Sequence, residues 1–151
     1  VSKQYMHLRG GEMLFGNSSG EGAMTPIEDP DVYPSRATNE TVELVVEKAM
    51  HRFPGIEDPR LATTTTGVID STPDNNPIVS ATGYDGLFVA AGMSGHGFKI
   101  SPGIGRLMAD LMVDGDTKLP NVVASQFRLS RFEEDDLLVS PYGYRGTTGI
   151  R

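Results

Sequence analysis

The 151 residues carry a net charge of −7, with 38% hydrophobic side chains, 22% charged side chains and no cysteine. The missing cysteines exclude a disulfide scaffold, a thiolate zinc site, a cysteine nucleophile and a flavin attached through cysteine. The acidic balance argues against a nucleic-acid or anionic-membrane partner.

No apolar run reaches the about 20 residues that span a bilayer. The start at Val1-Ser2 shows no basic-then-apolar pattern, and for a chain without cysteine the reducing cytoplasm is the default expected compartment. Without an initiator Met, the chain is expected to be processed or cut from something longer. Eighteen glycines and ten prolines predict many turns and tight backbone contacts.

Residues 5–16 read as a hairpin, with Tyr5 to Leu8 and Met13 to Phe15 flanking Arg9-Gly10-Gly11-Glu12. Residues 17–36 are rich in Gly, Ser, Pro and Asp and read as a long loop. Residues 39–53 predict a helix. Val42, Val45, Val46, Ala49, Met50 and Phe53 form its apolar stripe, Thr38 or Asn39 caps it, and Pro54-Gly55 ends it.

Three strands are expected at 62–69, 77–82 and 87–91, with Gly83 to Gly86 turning between the last two. The unbroken apolar run Leu87 to Ala91 predicts a strand covered on both faces. A second helix is expected over 101–114. Ser101 is its N-cap, Pro102 its first residue and Gly115 its stop, and Ile104, Leu107, Met108, Leu111 and Met112 form the buried stripe. Gly103 and Gly105 in its first turns suggest a close approach to the backbone. After Pro120 the chain reads as irregular, and beyond Pro141 as a flexible tail.

The chemistry concentrates in Gly92-Met93-Ser94-Gly95-His96-Gly97-Phe98-Lys99, between a strand and a helix start. In that geometry free backbone N–H groups and a helix dipole face an electron-rich or anionic ligand. The alternative is a tight structural turn. Phe98 separates Gly97 from Lys99, so no P-loop is formed. Gly95-His96-Gly97-Phe98-Lys99-Ile100 lacks the third glycine of a dinucleotide fingerprint. His7, His51 and His96 lack metal-ligand spacing. Ser71 and Ser94 have no evident His and Asp partners, and Glu133 to Asp136 reads as a solvated acidic run.

Three blocks in this order carry a family resemblance. They are Gly67 to Val79 with Thr72-Pro73-Asp74, Gly86 to Gly92, and Ser94 to Lys99 with Gly103 and Gly105. Together with Phe53-Pro54-Gly55 and Arg131-Phe132, they resemble the C-terminal half of the D-amino-acid oxidase/sarcosine oxidase family. These are FAD-dependent amine oxidoreductases, and the resemblance covers about residues 5–132.

The resemblance implies an α+β chain that is the C-terminal part of a two-domain FAD oxidoreductase. Residues 1–61 would be part of the substrate-binding domain with its antiparallel sheet. Residues 62–132 would be the last strands and helix of the FAD-binding domain, and 133–151 an irregular or flexible tail. The N-terminal Rossmann unit, which holds the FAD pyrophosphate, has no counterpart here. The isolated chain is therefore expected to be inactive.

The implied reaction moves a hydride from the carbon next to an amine nitrogen to flavin N5. The substrate would be an amino acid or N-methyl amino acid. By position, Gly92, Met93, Ser94, Gly95, His96, Gly97, Phe98 and Lys99 would bind FAD, and Lys99 would pair with the substrate carboxylate. The bland readings beside these are a structural His96 and a surface Lys99; Asp74 reads as capping a turn through Asn75 and Asn76. Gly67 stands where covalent members have cysteine, which implies non-covalent FAD. Members of the glycine oxidase type carry a carboxylate-binding arginine near the position of Ile69, and its absence here speaks against a plain α-amino-acid oxidase. No lysine lies near Met13-Leu14, where some sarcosine oxidases carry an oxygen-activating one, which points to a dehydrogenase as readily as an oxidase. Implied partners are the small amine substrate, the missing FAD-binding portion and a second copy in a homodimer. The competing reading is a non-catalytic interaction module that completes a partner's sheet.

Overall fold

The computed structural model describes residues 4–17 and 26–139. The tail expected beyond Pro141 and part of the loop after Asn17 lie outside the described residues. The described residues are α+β and divide into two units that meet in sequence at Val68 and Ile69.

In the first unit, β1 (Gln4–Arg9) and β2 (Glu12–Asn17) pair antiparallel, with Arg9 opposite Glu12 and Gln4 opposite Asn17. Gly10 and Gly11 take φ of +58° and +85°, the left-handed pair that a two-residue hairpin turn demands. Helix α1 (Asn39–Arg52) starts as its sequence predicts. The Thr38 side chain accepts from the Thr41 amide at 3.3 Å. Ala49 is buried, and Val42, Val45 and Met50 are half-buried beside it, whereas Val46 faces outward. Gln4 Nε2 donates to the Val45 carbonyl at 3.0 Å, and the rings of Phe15 and Phe53 lie 6.0 Å apart, so hairpin and helix share one apolar contact.

The strand expected at 62–69 does not form. This stretch is irregular and mostly exposed, and among the described residues no strand pairs with it. Its β-branched threonines favour extended backbone, but their hydroxyls bond neighbouring carbonyls instead: Thr66 donates to Pro34 O and its amide to Ser35 O.

In the second unit, β3 (Ile78–Ala81) pairs antiparallel with β4 (Phe88–Ala91), joined by the expected turn. Helix α2 (Gly97–Asp114) packs on both strands, and short 3₁₀ helices at Ala124–Phe127 and Leu129–Phe132 pack on β3. Val79, Leu107 and Ala124 form the core, ringed by Ile104, Met108, Leu111, Leu119, Val122 and Phe127. Coverage of β4 on both faces is not found among the described residues: Ala90 is exposed and Phe88, Val89 and Ala91 are only half-buried.

Helix α2 begins four residues earlier than Ser101. Pro102 lies inside it and cannot donate to the Phe98 carbonyl one turn back. The Ser101 hydroxyl donates to that carbonyl at 2.9 Å instead, so the proline is tolerated without ending the helix. Gly115 closes the helix at φ +74°, donating to Leu111 O. Asp110 anchors this end, accepting from Arg106 Nε, Thr117 Oγ1 and the Lys118 amide. Among the described residues, no helix is long and apolar enough to cross a membrane.

Candidate functional site

The segment Gly92 to Lys99 leaves the end of β4 and becomes the first turn of α2. Three of its residues are left-handed: Gly92 at φ +62°, Ser94 at +50° and Gly95 at +80°. Consecutive reversals of this kind turn backbone amides to one side. Gly92 and Ser94 are buried, Met93, His96 and Gly97 are half-buried, and Gly95, Phe98 and Lys99 are exposed. Phe98 is 99% exposed, an unusual position for a phenylalanine at a helix start.

His96 is the residue before α2, and its side chain makes no capping hydrogen bond at the helix start. The first-turn amides and the positive end of the helix dipole suit an electron-rich or anionic group. No part of the described chain comes within 4 Å of the Cβ positions of Gly103 and Gly105. The close approach expected at these two glycines is therefore not made by the chain's own described residues.

Residues 70–76 hold the loop from one side. The Asp70 carbonyl accepts from the Ser94 amide at 3.0 Å, and its carboxylate accepts from the Met93 amide at 3.1 Å. The Thr72 amide donates to Ser94 Oγ at 3.1 Å, and Thr72 Oγ1 lies 3.2 Å from the same oxygen. Ser94 Oγ reaches the Gly92 carbonyl at 3.2 Å. Gly92 has no room for a side chain: an added Cβ would sit 2.3 Å from Thr72 Cγ2.

Behind Thr72 lies a buried ion pair. Arg131 Nε donates to Asp74 Oδ2 at 2.7 Å and Nη2 donates to Oδ1 at 3.0 Å, with both side chains almost wholly buried. Two further donors are used as well, one on Nη1 to Arg128 O and the second on Nη2 to Asn76 O. The guanidinium stacks 4.1 Å over the Phe132 ring. Asp74 also accepts from the amides of Asn76 and Leu138 and contacts Thr72 Oγ1 at 3.1 Å, so its turn-capping bond to residue 76 is one of several.

Burial pushes the Asp74 carboxyl up. The Arg131 guanidinium and the Asn76 and Leu138 amides outweigh that and hold it below its ordinary value. Folded Asp74 therefore titrates lower than unfolded Asp74. Its stabilising contribution is complete above the unfolded value, about pH 4, and is lost as the pH falls through the lower folded value. The expected result is a urea midpoint that is flat from pH 7 to 5 and falls below about pH 4. In Asp74→Asn that acid limb should be shallower; an unchanged limb would assign the acid sensitivity elsewhere.

The expected loop residues are thus brought together as one continuous segment. Reading the sequence missed Thr72 and the partner of Asp74. Thr72-Pro73-Asp74 and Arg131-Phe132 stand out separately, but a bond spanning 57 residues leaves no local periodicity. Ser94, weighed as a nucleophile without partners, is a buried residue whose hydroxyl ties the loop to Thr72.

The sequence model of the family described as FAD dependent oxidoreductase matches residues 2–111. Sarcosine oxidase subunit beta of Rhodobacter capsulatus is 35% identical over 106 residues, covering 70% of this chain and 25% of that protein. The subunit beta of Rhizobium meliloti is 33% identical over 112 residues, covering 74% and 26%. FAD-dependent oxidoreductase domain-containing protein 1 of Xenopus laevis is 34% identical over 122 residues, covering 79% and 23%. Among solved structures, L-proline dehydrogenase from P. horikoshii superposes with a TM-score of 0.72 at 27% identity, covering 91% of this chain and 34% of that one. The chain spans about a quarter of the length of the curated relatives it matches.

Proposed function

This chain belongs to the FAD-dependent oxidoreductase family, and from that premise we propose that it forms the C-terminal part of an amine oxidoreductase acting on an amino acid or N-methyl amino acid. The observation that carries the reading is the β4–glycine loop–α2 segment: left-handed backbone, a helix start that the His96 side chain does not cap and, among the described residues, nothing within 4 Å of the Cβ positions of Gly103 and Gly105. The donor set fits a flavin. Neutral N–H groups and a helix N-terminus suit an electron-rich ring edge that becomes more negative on reduction.

In this reading residues 1–61 belong to the substrate domain, and 62–132 to the FAD domain, with the pyrophosphate held outside this chain. FAD, when bound, supplies the acceptor for the hydride leaving the carbon next to the amine nitrogen. Gly92 to Phe98 would line the flavin ring through backbone and side chains, and the first-turn amides of α2 would donate to its electron-rich edge. The exposed Lys99 ammonium pairs with the substrate carboxylate and orients the reacting carbon. Because two relatives are named as subunits of sarcosine oxidase, companion subunits are part of the proposal.

Lys99→Ala in the full-length gene product should raise the Michaelis constant for an N-methyl amino acid about tenfold and leave turnover within about twofold, the signature of lost substrate binding. An unchanged Michaelis constant removes Lys99 from the site. The second reading, an interaction module, draws on the open sheet: among the described residues β4 pairs on one side only, and Leu87 beside it is 53% exposed. Amine-dependent bleaching of a bound flavin decides against it.

A further inference from the structure

The loop Gly92 to Phe98 is not held by its own glycines. Its buried residue Ser94 sits at φ +50°, a conformation that a non-glycine residue keeps only when its surroundings fix it. Outside the loop, Thr72 meets Ser94 twice: its backbone amide donates to Ser94 Oγ and its hydroxyl lies within hydrogen-bond reach of the same oxygen. Thr72 is itself seated from behind. Its hydroxyl lies 2.8 Å from Asn76 O and 3.1 Å from Asp74 Oδ1, and Arg131 grips both of those acceptors.

We propose that Thr72 is a positioning residue for the Gly92–Phe98 loop, acting through its hydroxyl on Ser94 and held in place by the buried Asp74–Arg131 pair. What the loop is positioned toward, the flavin ring, rests on the function proposed above. The hydroxyl and the methyl of Thr72 do different things. The hydroxyl joins the ion pair to Ser94, and the methyl occupies the space beside Gly92.

That division supplies the test. Thr72→Val keeps the methyl and removes the hydroxyl; Thr72→Ser does the reverse. In Thr72→Val, Asp74, Asn76 and Ser94 each retain another hydrogen-bond partner, so folding survives. Both variants are made in the full-length gene product. Amide hydrogen exchange is followed at Met93, Ser94 and His96, with α2 amides near Leu107 as the reference, and FAD affinity is measured alongside.

Thr72→Val should exchange about fivefold faster in the loop, the equivalent of one ordinary hydrogen bond, with the α2 reference unchanged. FAD affinity should fall by a similar factor. Thr72→Ser should match the parent in both. Should Thr72→Val not fold, Ser94→Ala cuts the link from the loop side together with the Thr72 amide and Gly92 carbonyl bonds, and should speed loop exchange at least as much. If Thr72→Ser is as disruptive as Thr72→Val, or if neither changes the loop, the proposal is overturned, even in a protein that binds FAD. If the loop loosens selectively in Thr72→Val while the parent binds no FAD, the positioning role stands and the flavin reading falls.

Discussion

Arg131→Met is expected to destabilise the fold by about 3–5 kcal/mol, the cost of leaving one partner of a buried ion pair behind. Methionine fills much of the same volume, so the loss is electrostatic rather than a cavity. Arg131 is fully buried and spends its donors on Asp74, Asn76 O and Arg128 O. Once it is gone, the Asp74 carboxylate keeps two amide donors and the Thr72 contact but faces no compensating charge. Arg131→Lys should fall between, because an ammonium cannot match the two-pronged carboxylate geometry. The urea midpoint measures this directly. The double variant Asp74→Asn, Arg131→Met should lose less than the sum of its parts, as contacting partners do. Strict additivity, or a loss below about 1 kcal/mol in Arg131→Met, would mean the pair contributes no more than a surface bridge.

Gly92→Ala carries the second large effect, about 2–5 kcal/mol. Roughly 1–2 kcal/mol of it comes from placing an L side chain in the left-handed region at φ +62°. The rest comes from overlap, since the new Cβ would lie 2.3 Å from Thr72 Cγ2. Thr72 cannot step aside without breaking its bonds to Ser94 and Asn76. Removing the offending methyl should separate the two contributions. In a Thr72→Ser background the cost of Gly92→Ala should shrink toward the conformational part alone. An equal cost in both backgrounds would show that the methyl contact is not the obstacle.

What the sequence makes legible follows from how local each signal is. The hairpin is announced by Gly10-Gly11, α1 by its Thr38 cap and apolar spacing, and β3–β4 by the four-residue turn between them. The start of α2 misleads because Pro102 ordinarily marks a first helical residue. Only the Ser101 hydroxyl on Phe98 O explains why it sits a turn further in. The threonine run at 62–69 has strand chemistry but, among the described residues, no strand paired with it, and β propensity without pairing does not make a sheet.

The loop Gly92 to Lys99 is readable from its glycines and its place between strand and helix. The residues that hold it are not. Ser94 meets Thr72 across 22 positions and Asp74 meets Arg131 across 57. Such contacts are set by the fold and leave no periodic trace.

Amide hydrogen exchange across Gly92 to Lys99, measured on the full-length gene product with and without FAD, tests the central claim most directly. FAD should slow exchange in this segment about tenfold or more while the Asn39–Arg52 helix stays unchanged. Bound FAD that protects other segments and leaves Gly92 to Lys99 exchanging at its free rate would contradict the account.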